Sequence, residues 1–286
     1  MILITWNVQW CRGVDGNVDP GRIVDTAKSI ADFDVLCVQE VADFYPQPRL
    51  PGSRGGNQFG ELARRLPGYI AIEGVAADQP AEDGRRRRRF GNMILSRLPV
   101  RQIYRHLLPY PCEPGVPGMP RGAVEAVVGA SFGDVRVITT HLEYYSQRAR
   151  FAQIDALRAI YTDGYAHALD TLRKPETEGP FETFPYPRAT IICGDCNFEP
   201  QWPEHSRMLA PFSGGAPPLV DAWLHTNPGK PHPATFRIFE KEKPGDPELH
   251  CDFVFVDGGL APRIRTFDVE QKTQASDHQP VVVTLG

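Results

Sequence analysis

Polar residues that could bind a metal ion or move a proton stand where strand-like segments begin or end, far apart along the chain. They are Asn7, Glu40, His141, Asp195, Asn197 and Asp252, together with the tripeptide Ser276–His278. Carboxylate and amide oxygens suit Mg²⁺ or Mn²⁺, and histidine can contact a phosphoryl oxygen or move a proton near neutral pH. The set therefore indicates metal-assisted chemistry on a phosphate group.

Each of these residues taken alone has an ordinary interpretation. An Asp or Asn at a strand end is more often a cap or a turn former than a catalytic group, and a lone His is usually satisfied by a hydrogen bond. Six such strand ends in one chain are harder to dismiss, because catalytic groups of α/β proteins gather outside the ends of strands. We therefore expect these side chains to meet.

The elements that must position them begin with a predicted βαβ unit. Ile2–Val8 and Asp34–Gln39 are apolar strand-like runs, and Gly21–Asp32 between them has apolar residues at helical spacing. Asn57–Leu66 and Gln147–Tyr161 are predicted helices by the same criterion. Further strands are predicted at Tyr69–Val75, Gly91–Ser96, Val100–Leu107, Gly122–Ala130, Val135–Leu142, Ala189–Cys193, Cys251–Val256 and Val281–Leu285. Four segments rich in Pro, Gly or charge are predicted loops, namely Pro46–Gly56, Ala77–Arg89, Pro109–Pro120 and Lys174–Pro187.

Composition limits the function classes. The chain has 286 residues and a formal net charge of −4, which argues mildly against a long nucleic-acid footprint. It contains no apolar run long enough to span a membrane and no signal-peptide pattern at its start. Most of the six cysteines lie in or beside apolar runs, as reduced, buried thiols do. These features predict a cytoplasmic protein, with a monomer as the default.

Short motifs in a fixed order span nearly the whole chain. They are TWN (Thr5–Asn7), VQE (Val38–Glu40), GNMILSRLP (Gly91–Pro99), RGAVEA (Arg121–Ala126), THL (Thr140–Leu142), GDCN (Gly194–Asn197), DAW (Asp221–Trp223), CDFVFV (Cys251–Val256) and SDH (Ser276–His278). The ordered set resembles the endonuclease/exonuclease/phosphatase superfamily, the deoxyribonuclease I-like hydrolases. The resemblance implies one catalytic α/β domain over residues 1–286. Its fold would be a four-layer α/β sandwich, in which helices flank two central mixed, mainly antiparallel sheets.

The same resemblance implies a role for each residue at the metal. Glu40 would be the principal ligand of Mg²⁺ or Mn²⁺, with Asn7 beside it and Asp277 close to the ion. Whether one or two ions bind stays open.

Around the phosphate, the resemblance implies that His141 hydrogen-bonds the scissile group and that Asn197 orients water or phosphate. His278 would pair with Asp252, and either Asp195 or His278 would be the general base. Three further residues are candidates for substrate binding, namely Asn92, Arg121 and Tyr144. For Arg121, a structural salt bridge is an equally good interpretation. For Tyr144, packing at the start of the following helix is a slightly better interpretation.

Two other patterns allow a functional and an ordinary interpretation. The run Arg85–Arg89 is either a solvated loop or an anion clamp at the mouth of the site, suited to a nucleic-acid backbone, a phosphoinositide or an anionic membrane surface. Cys193-Gly-Asp-Cys196 has CxxC spacing, but neither a second pair nor a redox context supports a zinc or thiol site. The remaining histidines show no ligand-like spacing; they include His205, His225, His232 and His250.

The function that these observations predict is hydrolysis of a phosphate ester, with a phosphodiesterase favoured. Its substrate could be a nucleic acid, a phospholipid head group or a small phosphodiester. Two alternatives stay open: a phosphomonoesterase on the same scaffold, and a non-catalytic scaffold that binds a partner. The second is weakened because every expected polar position is filled.

Overall fold

A computed structural model describes residues 1–171, 179–184, 186–241 and 243–286 of the protein. The strands are β1 (Ile2–Asn7), β2 (Val35–Asp43), β3 (Ile70–Pro80), β4 (Arg87–Ser96), β5 (Val100–Leu107), β6 (Gly122–Ala130), β7 (Gly133–His141), β8 (Thr190–Asp195), β9 (Leu219–Asp221), β10 (Asp252–Asp257), β11 (Ile264–Val269) and β12 (Val281–Leu285). The α-helices are α1 (Pro20–Ile30), α2 (Gln58–Arg65), α3 (Gln147–Leu169), α4 (Pro203–Leu209) and α5 (Ala222–Thr226).

The opening βαβ unit follows directly from the local sequence. Asp19 caps α1, because its side chain accepts hydrogen bonds from the backbone of the first turn, and Pro20 suits the first helical position. The helix buries Ile23 and Val24 against the sheet. β1 and β2 then pair in parallel, with Asn7 opposite Gln39. The predicted βαβ unit is confirmed.

The strands form two six-stranded sheets, ordered β11-β12-β1-β2-β4-β3 and β5-β6-β7-β8-β10-β9. Each sheet contains one parallel pair at its centre, β1 with β2 and β7 with β8, and its remaining pairs are antiparallel. In each sheet the two central strands are parallel, so their carboxyl ends lie side by side at one edge of the sheet.

The two sheets pack face to face over an apolar core. Cys37 and Ile94 from the first sheet and Val137, Ile191 and Val254 from the second belong to this core. Two further apolar clusters lie on the outer faces, one beneath α1 and α2 and the other beneath α3 and α4. Burial of each large aliphatic or aromatic side chain contributes roughly 1.5–3 kcal/mol. The predicted four-layer α/β sandwich is confirmed.

The predicted loop Ala77–Arg89 is wrong. Most of it belongs to a hairpin, in which β3 continues to Pro80 and β4 begins at Arg87. Asp78 lies opposite Arg89 in this hairpin, and Asp78 Oδ1 accepts a hydrogen bond from Arg87 Nε at 2.5 Å. Cross-strand ion pairs of this kind stabilise a strand pair, although such a polar sequence is typical of a loop.

Other differences concern short or marginal elements. β9, β11, α4 and α5 were not predicted, since they are short or carry little apolar periodicity, and α3 continues to Leu169. The predicted loop Lys174–Pro187 lies partly outside the described residues. Among the helices that the structure describes, none is both long and apolar enough to cross a membrane.

Candidate active site

The predicted polar residues meet where the parallel strands of both sheets end. Asn7 closes β1, while His141 and Asp195 close β7 and β8 and lie opposite each other in register. Asp252 begins the antiparallel β10 and lies opposite Asp195. Glu40 lies on β2, one residue beyond the position opposite Asn7. The site therefore draws on both sheets.

A local irregularity directs Glu40 into the site. The pairing of β2 with β4 shifts between Val38 and Val41, and Glu40 there has a φ of 61°. A bulge with a left-handed residue bends the strand and re-aims its side chain. This conformation is uncommon for a residue with a Cβ, and such strain concentrates at functional sites.

The GDCN segment has its own geometric requirement. Gly194 has a φ of 133°, and a Cβ there would lie 2.0 Å from the Thr140 carbonyl oxygen. Only glycine allows β8 to approach β7 this closely. Beyond it, Asp195 Oδ1 accepts a hydrogen bond from the Asn197 backbone at 3.0 Å, and Asn197 Nδ2 donates to the Leu142 carbonyl at 2.9 Å. The motif therefore fixes the orientation of the Asp195 carboxylate.

Asn7 joins the carboxylates of the two sheets. Its Nδ2 donates to Glu40 Oε1 at 3.2 Å and to Asp195 Oδ2 at 2.8 Å, while its Oδ1 accepts from the Gln9 backbone at 3.0 Å. Gln9 Nε2 in turn donates to Asp277 Oδ2 at 2.7 Å. Glu40, Asp195 and Asp277 are thereby held in one network.

The cluster of carboxylates formed by Glu40, Asp195 and Asp277 carries an excess of negative charge. Burial, together with the Asp277 carboxylate, raises the pKa of Glu40 to about 7, and burial raises the pKa of Asp277. Both shifts mean that the charged forms lack sufficient compensation. A divalent cation would compensate them, and hard oxygen donors are what Mg²⁺ and Mn²⁺ prefer. The residues present thus fit such an ion, with Glu40 and Asp277 as donors.

Two histidines flank Asp195 in different electrostatic states. His141 Nε2 lies 3.4 Å from Asp195 Oδ2, and His278 Nε2 lies 3.7 Å from the same oxygen. Burial and the nearby Arg121 lower the pKa of His141 to about 3. Burial acts in the same direction on His278, but the Asp252 and Asp195 carboxylates outweigh it and raise the pKa of His278 well above its usual value. A neutral and a cationic imidazole therefore face the same carboxylate.

Several contacts fix the position of His278. Its Nδ1 lies 2.8 Å from Asp252 Oδ2, which also accepts a hydrogen bond from Thr235 Oγ1 at 2.6 Å. The Phe236 ring stacks on the imidazole, with ring centroids 4.4 Å apart. The Trp6 indole N–H donates to the His278 carbonyl at 2.9 Å. The imidazole Nε2 consequently points towards Asp195.

The three candidate substrate-binding residues lie in different surroundings. Asn92 and Arg121 line a narrow cavity together with His141; Asn92 Nδ2 donates to the Gly122 carbonyl at 2.9 Å. Tyr144 is 41% exposed, and its hydroxyl accepts a hydrogen bond from Arg237 Nη2 at 3.2 Å. The Arg237 backbone donates to the Asp277 carbonyl at 3.3 Å, so Tyr144 is tied to the rim of the site.

Sequence reasoning did not find four residues that shape the site: Gln9, Thr235, Phe236 and Arg237. Gln9 lies two positions beyond Asn7, and the strand-end criterion could have been extended to it. Thr235, Phe236 and Arg237 stand in an irregular segment without periodic spacing. Only the tertiary fold brings them against His278 and Asp252.

Most of the arginine run is structured rather than a free loop. Arg87, Arg88 and Arg89 begin β4, and Arg89 lies 2.5 Å from Asp43 and 2.7 Å from Glu73. Arg86 pairs with an acidic neighbour in the turn, and Arg87 pairs across the hairpin. The solvated-loop interpretation holds only for Arg85 and Arg86, which lie in the exposed turn, and much of the charge of the run is already matched by carboxylates. The anion clamp stays a prediction.

The CxxC pair does not converge. Cys193 belongs to the core between the sheets, whereas Cys196 belongs to the cluster beneath α3 and α4. All six cysteines lie in described segments and are free. This placement fits two packed side chains better than a shared zinc or redox site.

Comparison with known proteins agrees with the fold and with the family resemblance. The sequence profile of the Endonuclease/Exonuclease/phosphatase family matches residues 4–278. No curated protein sequence matches the chain.

Among solved structures, an endonuclease/exonuclease/phosphatase from Beutenbergia cavernae DSM 12333 has a TM-score of 0.66 at 23% identity, covering 100% of this chain and 72% of the other. D. rerio TDP2 complexed with single-strand DNA product has a TM-score of 0.66 at 17% identity, covering 100% and 98%. The Bacteroides thetaiotaomicron mannosyl-6-phosphatase Bt3783 has a TM-score of 0.65 at 16% identity, covering 100% and 99%. The profile match extends over nearly the whole chain, and the protein therefore belongs to the endonuclease/exonuclease/phosphatase family.

Proposed function

We propose that the protein is a phosphodiesterase that depends on Mg²⁺ or Mn²⁺. Family membership supports hydrolysis of a phosphate ester as the reaction class. The observation that carries the proposal is the central position of Asp195, whose Oδ2 lies within 3.7 Å of Asn7 Nδ2, His141 Nε2 and His278 Nε2. A carboxylate with histidines on either side, next to a cation-binding carboxylate group, suits attack of water on phosphorus.

Glu40 is the principal ligand in this proposal, with Asp277 and Asn7 close to it. Their oxygens gather in one network through Asn7 and Gln9. A bound divalent ion would supply charge neutralisation at the phosphoryl oxygens and a more acidic water. Asn7 also donates hydrogen bonds to the Glu40 and Asp195 carboxylates and so keeps them at a fixed separation. Because its side chain is a neutral amide, it orients both carboxylates without neutralising them.

The remaining residues act on the phosphate and on the water. Asp195 receives the proton of the attacking water, since its orientation is fixed by Asn7 and by Asn197. His141 and His278 hold the phosphoryl oxygens, and Asp252 keeps the His278 ring aligned. Asn197 orients the water beside Asp195. No serine or cysteine nucleophile is required.

A phosphodiester is favoured over a monoester because the rim offers a surface for a second ester group. The exposed Tyr144 and the half-buried Arg237 form a hydrogen-bonded pair next to Asp277. An aromatic ring there can stack on a base or pack on another leaving group, and a guanidinium can pair with phosphate. One structural neighbour is a mannosyl-6-phosphatase and another is TDP2 complexed with a single-strand DNA product, so the fold alone does not select between the two ester types.

The test compares bis-p-nitrophenyl phosphate with p-nitrophenyl phosphate in Mg²⁺, in Mn²⁺ and in EDTA. We expect the diester to be hydrolysed faster, EDTA to abolish activity and either ion to restore it. Asp195→Asn should lower kcat by roughly 10²–10⁴-fold, the usual worth of a positioned acid or base. Asp25→Asn, on the exposed side of α1, is the matched control.

Full activity of Asp195→Asn with metal present would refute the site. A preference for the monoester would instead refute the substrate class and favour a phosphomonoesterase. A screen of DNA, RNA, phospholipid and small phosphodiesters with the same variants would then identify the natural substrate class.

A further inference from the structure

Two histidines and one aspartate, none of them assigned a role above, converge at the end of β9, where the ligand atoms of His205, Asp221 and His232 lie within 4.8 Å of one another. His250 packs beside them. Asp221 closes β9 and caps α5, where its Oδ1 accepts backbone hydrogen bonds from the first turn. Its Oδ2 lies 2.8 Å from His205 Nε2 and 2.9 Å from His232 Nε2. The His250 ring lies against that of His232, with centroids 4.6 Å apart. The four residues come from four separate parts of the chain.

One ring nitrogen in this group is buried and has no partner. His250 Nδ1 donates to the Pro233 carbonyl at 2.6 Å, while Nε2 is buried without a hydrogen bond. In the neutral ring, this arrangement leaves the Nε2 lone pair unprotonated and unused. A histidine that donates from one nitrogen to a backbone carbonyl and offers the other is the usual arrangement of a metal ligand. Most buried polar atoms of a structural network have a partner, so this nitrogen is available to a ligand.

The three histidines also share access to solvent. His205, His232 and His250 line a cavity of about 460 Å³, whose other lining residues include Glu199 and Glu248. A hydrated cation can enter such a cavity and keep a water as an additional ligand. The two glutamates lower the electrostatic cost of bringing a cation there.

We propose that His205, Asp221 and His232 form a second metal site, which His250 completes by moving its free Nε2 towards the ion, and that this site takes a transition-metal ion of the Zn²⁺ class. Imidazole nitrogens select Zn²⁺, Co²⁺ or Ni²⁺ over Mg²⁺, so this site differs in chemistry from the oxygen site at Glu40. The proposal does not depend on the phosphodiesterase assignment. Its alternative is a structural cap in which two histidines hydrogen-bond Asp221.

Binding requires a local rearrangement, in which the His250 ring moves towards the other three ligands and the contacts of Asp221 open. Zn²⁺ binds nitrogen and oxygen ligands at about 2.0–2.2 Å, which separates neighbouring ligands by about 3.3 Å in a tetrahedron. The contacts of 2.8 and 2.9 Å from Asp221 Oδ2 to the two histidines must therefore open by a few tenths of an ångström. His205 and His232 must also carry their hydrogen on Nδ1, so that Nε2 can bind the ion.

The test uses the full chain after treatment with EDTA, titrated with Zn²⁺ or Co²⁺ in excess Mg²⁺. The double variant Glu40→Gln/Asp277→Asn removes two donors of the oxygen site. We expect one Zn²⁺ per chain to bind in both the natural sequence and this variant. His250→Gln should weaken binding roughly 10–100-fold, and His225→Asn, an exposed histidine of α5, should leave it unchanged.

Loss of Zn²⁺ binding in the Glu40→Gln/Asp277→Asn variant, or its full retention in His250→Gln, would overturn the proposal. Zinc X-ray absorption on the unsubstituted chain provides a test that does not depend on whether a variant folds. We expect a first shell dominated by imidazole nitrogen, with the multiple-scattering signature of histidine. A shell of oxygen alone, or no stoichiometric binding, would contradict a histidine site.

Discussion

At the scale of single residues, the carboxylate of Asp252 orients a neighbouring side chain and is not a metal ligand in the proposed mechanism. Asp252 contacts neither Glu40 nor Asn7 among the described hydrogen bonds, but it holds His278 at 2.8 Å and is itself held by Thr235. Its other oxygen, Oδ1, is buried without a partner. A buried carboxylate in this situation has its effect through the imidazole that it orients. Asp252 is thus a positioning residue in the proposed mechanism.

Asp252→Asn tests this role. The amide keeps the shape but removes the negative charge beside His278, so we expect kcat to fall roughly 10²-fold while KM changes little. Steady-state kinetics on the diester measures both values, and circular dichroism checks that the fold is retained. Equal losses in Asp252→Asn and in the surface control Asp25→Asn would contradict a positioning role.

Much of the site could be predicted residue by residue because each of its main members follows or precedes a strand. Asn7, Asp195 and His141 end apolar runs that are visible in the sequence. The cluster of His205, His232 and His250 could not be predicted from the sequence, because these residues do not recur at a regular spacing along the chain. They meet through the pairing of β9 with β10 and through an irregular segment, neither of which has a local signal.

At the scale of secondary-structure elements, α3 is shaped by a buried ion pair in the adjacent sheet. Arg136 of β7 and Glu125 of β6 are fully buried, with Arg136 Nε 2.6 Å from Glu125 Oε1. Arg136 also donates to two carbonyls of α3. A Cβ at Gly164 of α3 would lie 1.8 Å from Arg136 Nη1. Glycine in this helix therefore makes room for the guanidinium.

Gly164→Ala should accordingly destabilise the protein. Helix propensity alone favours alanine by roughly 0.5–1 kcal/mol, but a clash with an immobilised buried group costs about 1–3 kcal/mol or more. We expect a net loss in the free energy of unfolding, measured by chemical denaturation. Gly60→Ala in α2 is the control, since its Cβ would meet nothing closer than 3.5 Å. A stability gain in Gly164→Ala would show that Arg136 moves freely.

Elements with a clear hydrophobic period were predictable, and those stabilised by polar pairs were not. β6 and β12 agree with the predicted strands residue for residue, because their apolar residues face a packed core. Only the outer half of the β3–β4 hairpin was predicted as a loop, because it is held by cross-strand ion pairs rather than by apolar contacts. The bulge that directs Glu40 into the site was not predicted, because no pattern of apolar residues marks it in the sequence.

At the scale of the whole molecule, we expect residues 1–286 to unfold as one unit. The core between the sheets takes side chains from both of them, so neither sheet keeps its inner face covered without the other. Far-ultraviolet circular dichroism and tryptophan fluorescence should give coincident denaturation midpoints. Trp6 reports on the first sheet and Trp223 on the end of β9. Two separated transitions would indicate two domains instead.

Asn7 bridges Glu40 of the first sheet and Asp195 of the second. This bridge makes the activity of the protein depend on how closely the two sheets pack against each other. A ligand bound to both carboxylates acts as a clamp across the two halves of the sandwich, and its binding energy adds to their docking. Conversely, a slight parting of the halves would disable hydrolysis while every strand kept its own ladder of hydrogen bonds. Catalytic turnover is therefore a finer gauge of correct assembly than secondary-structure content.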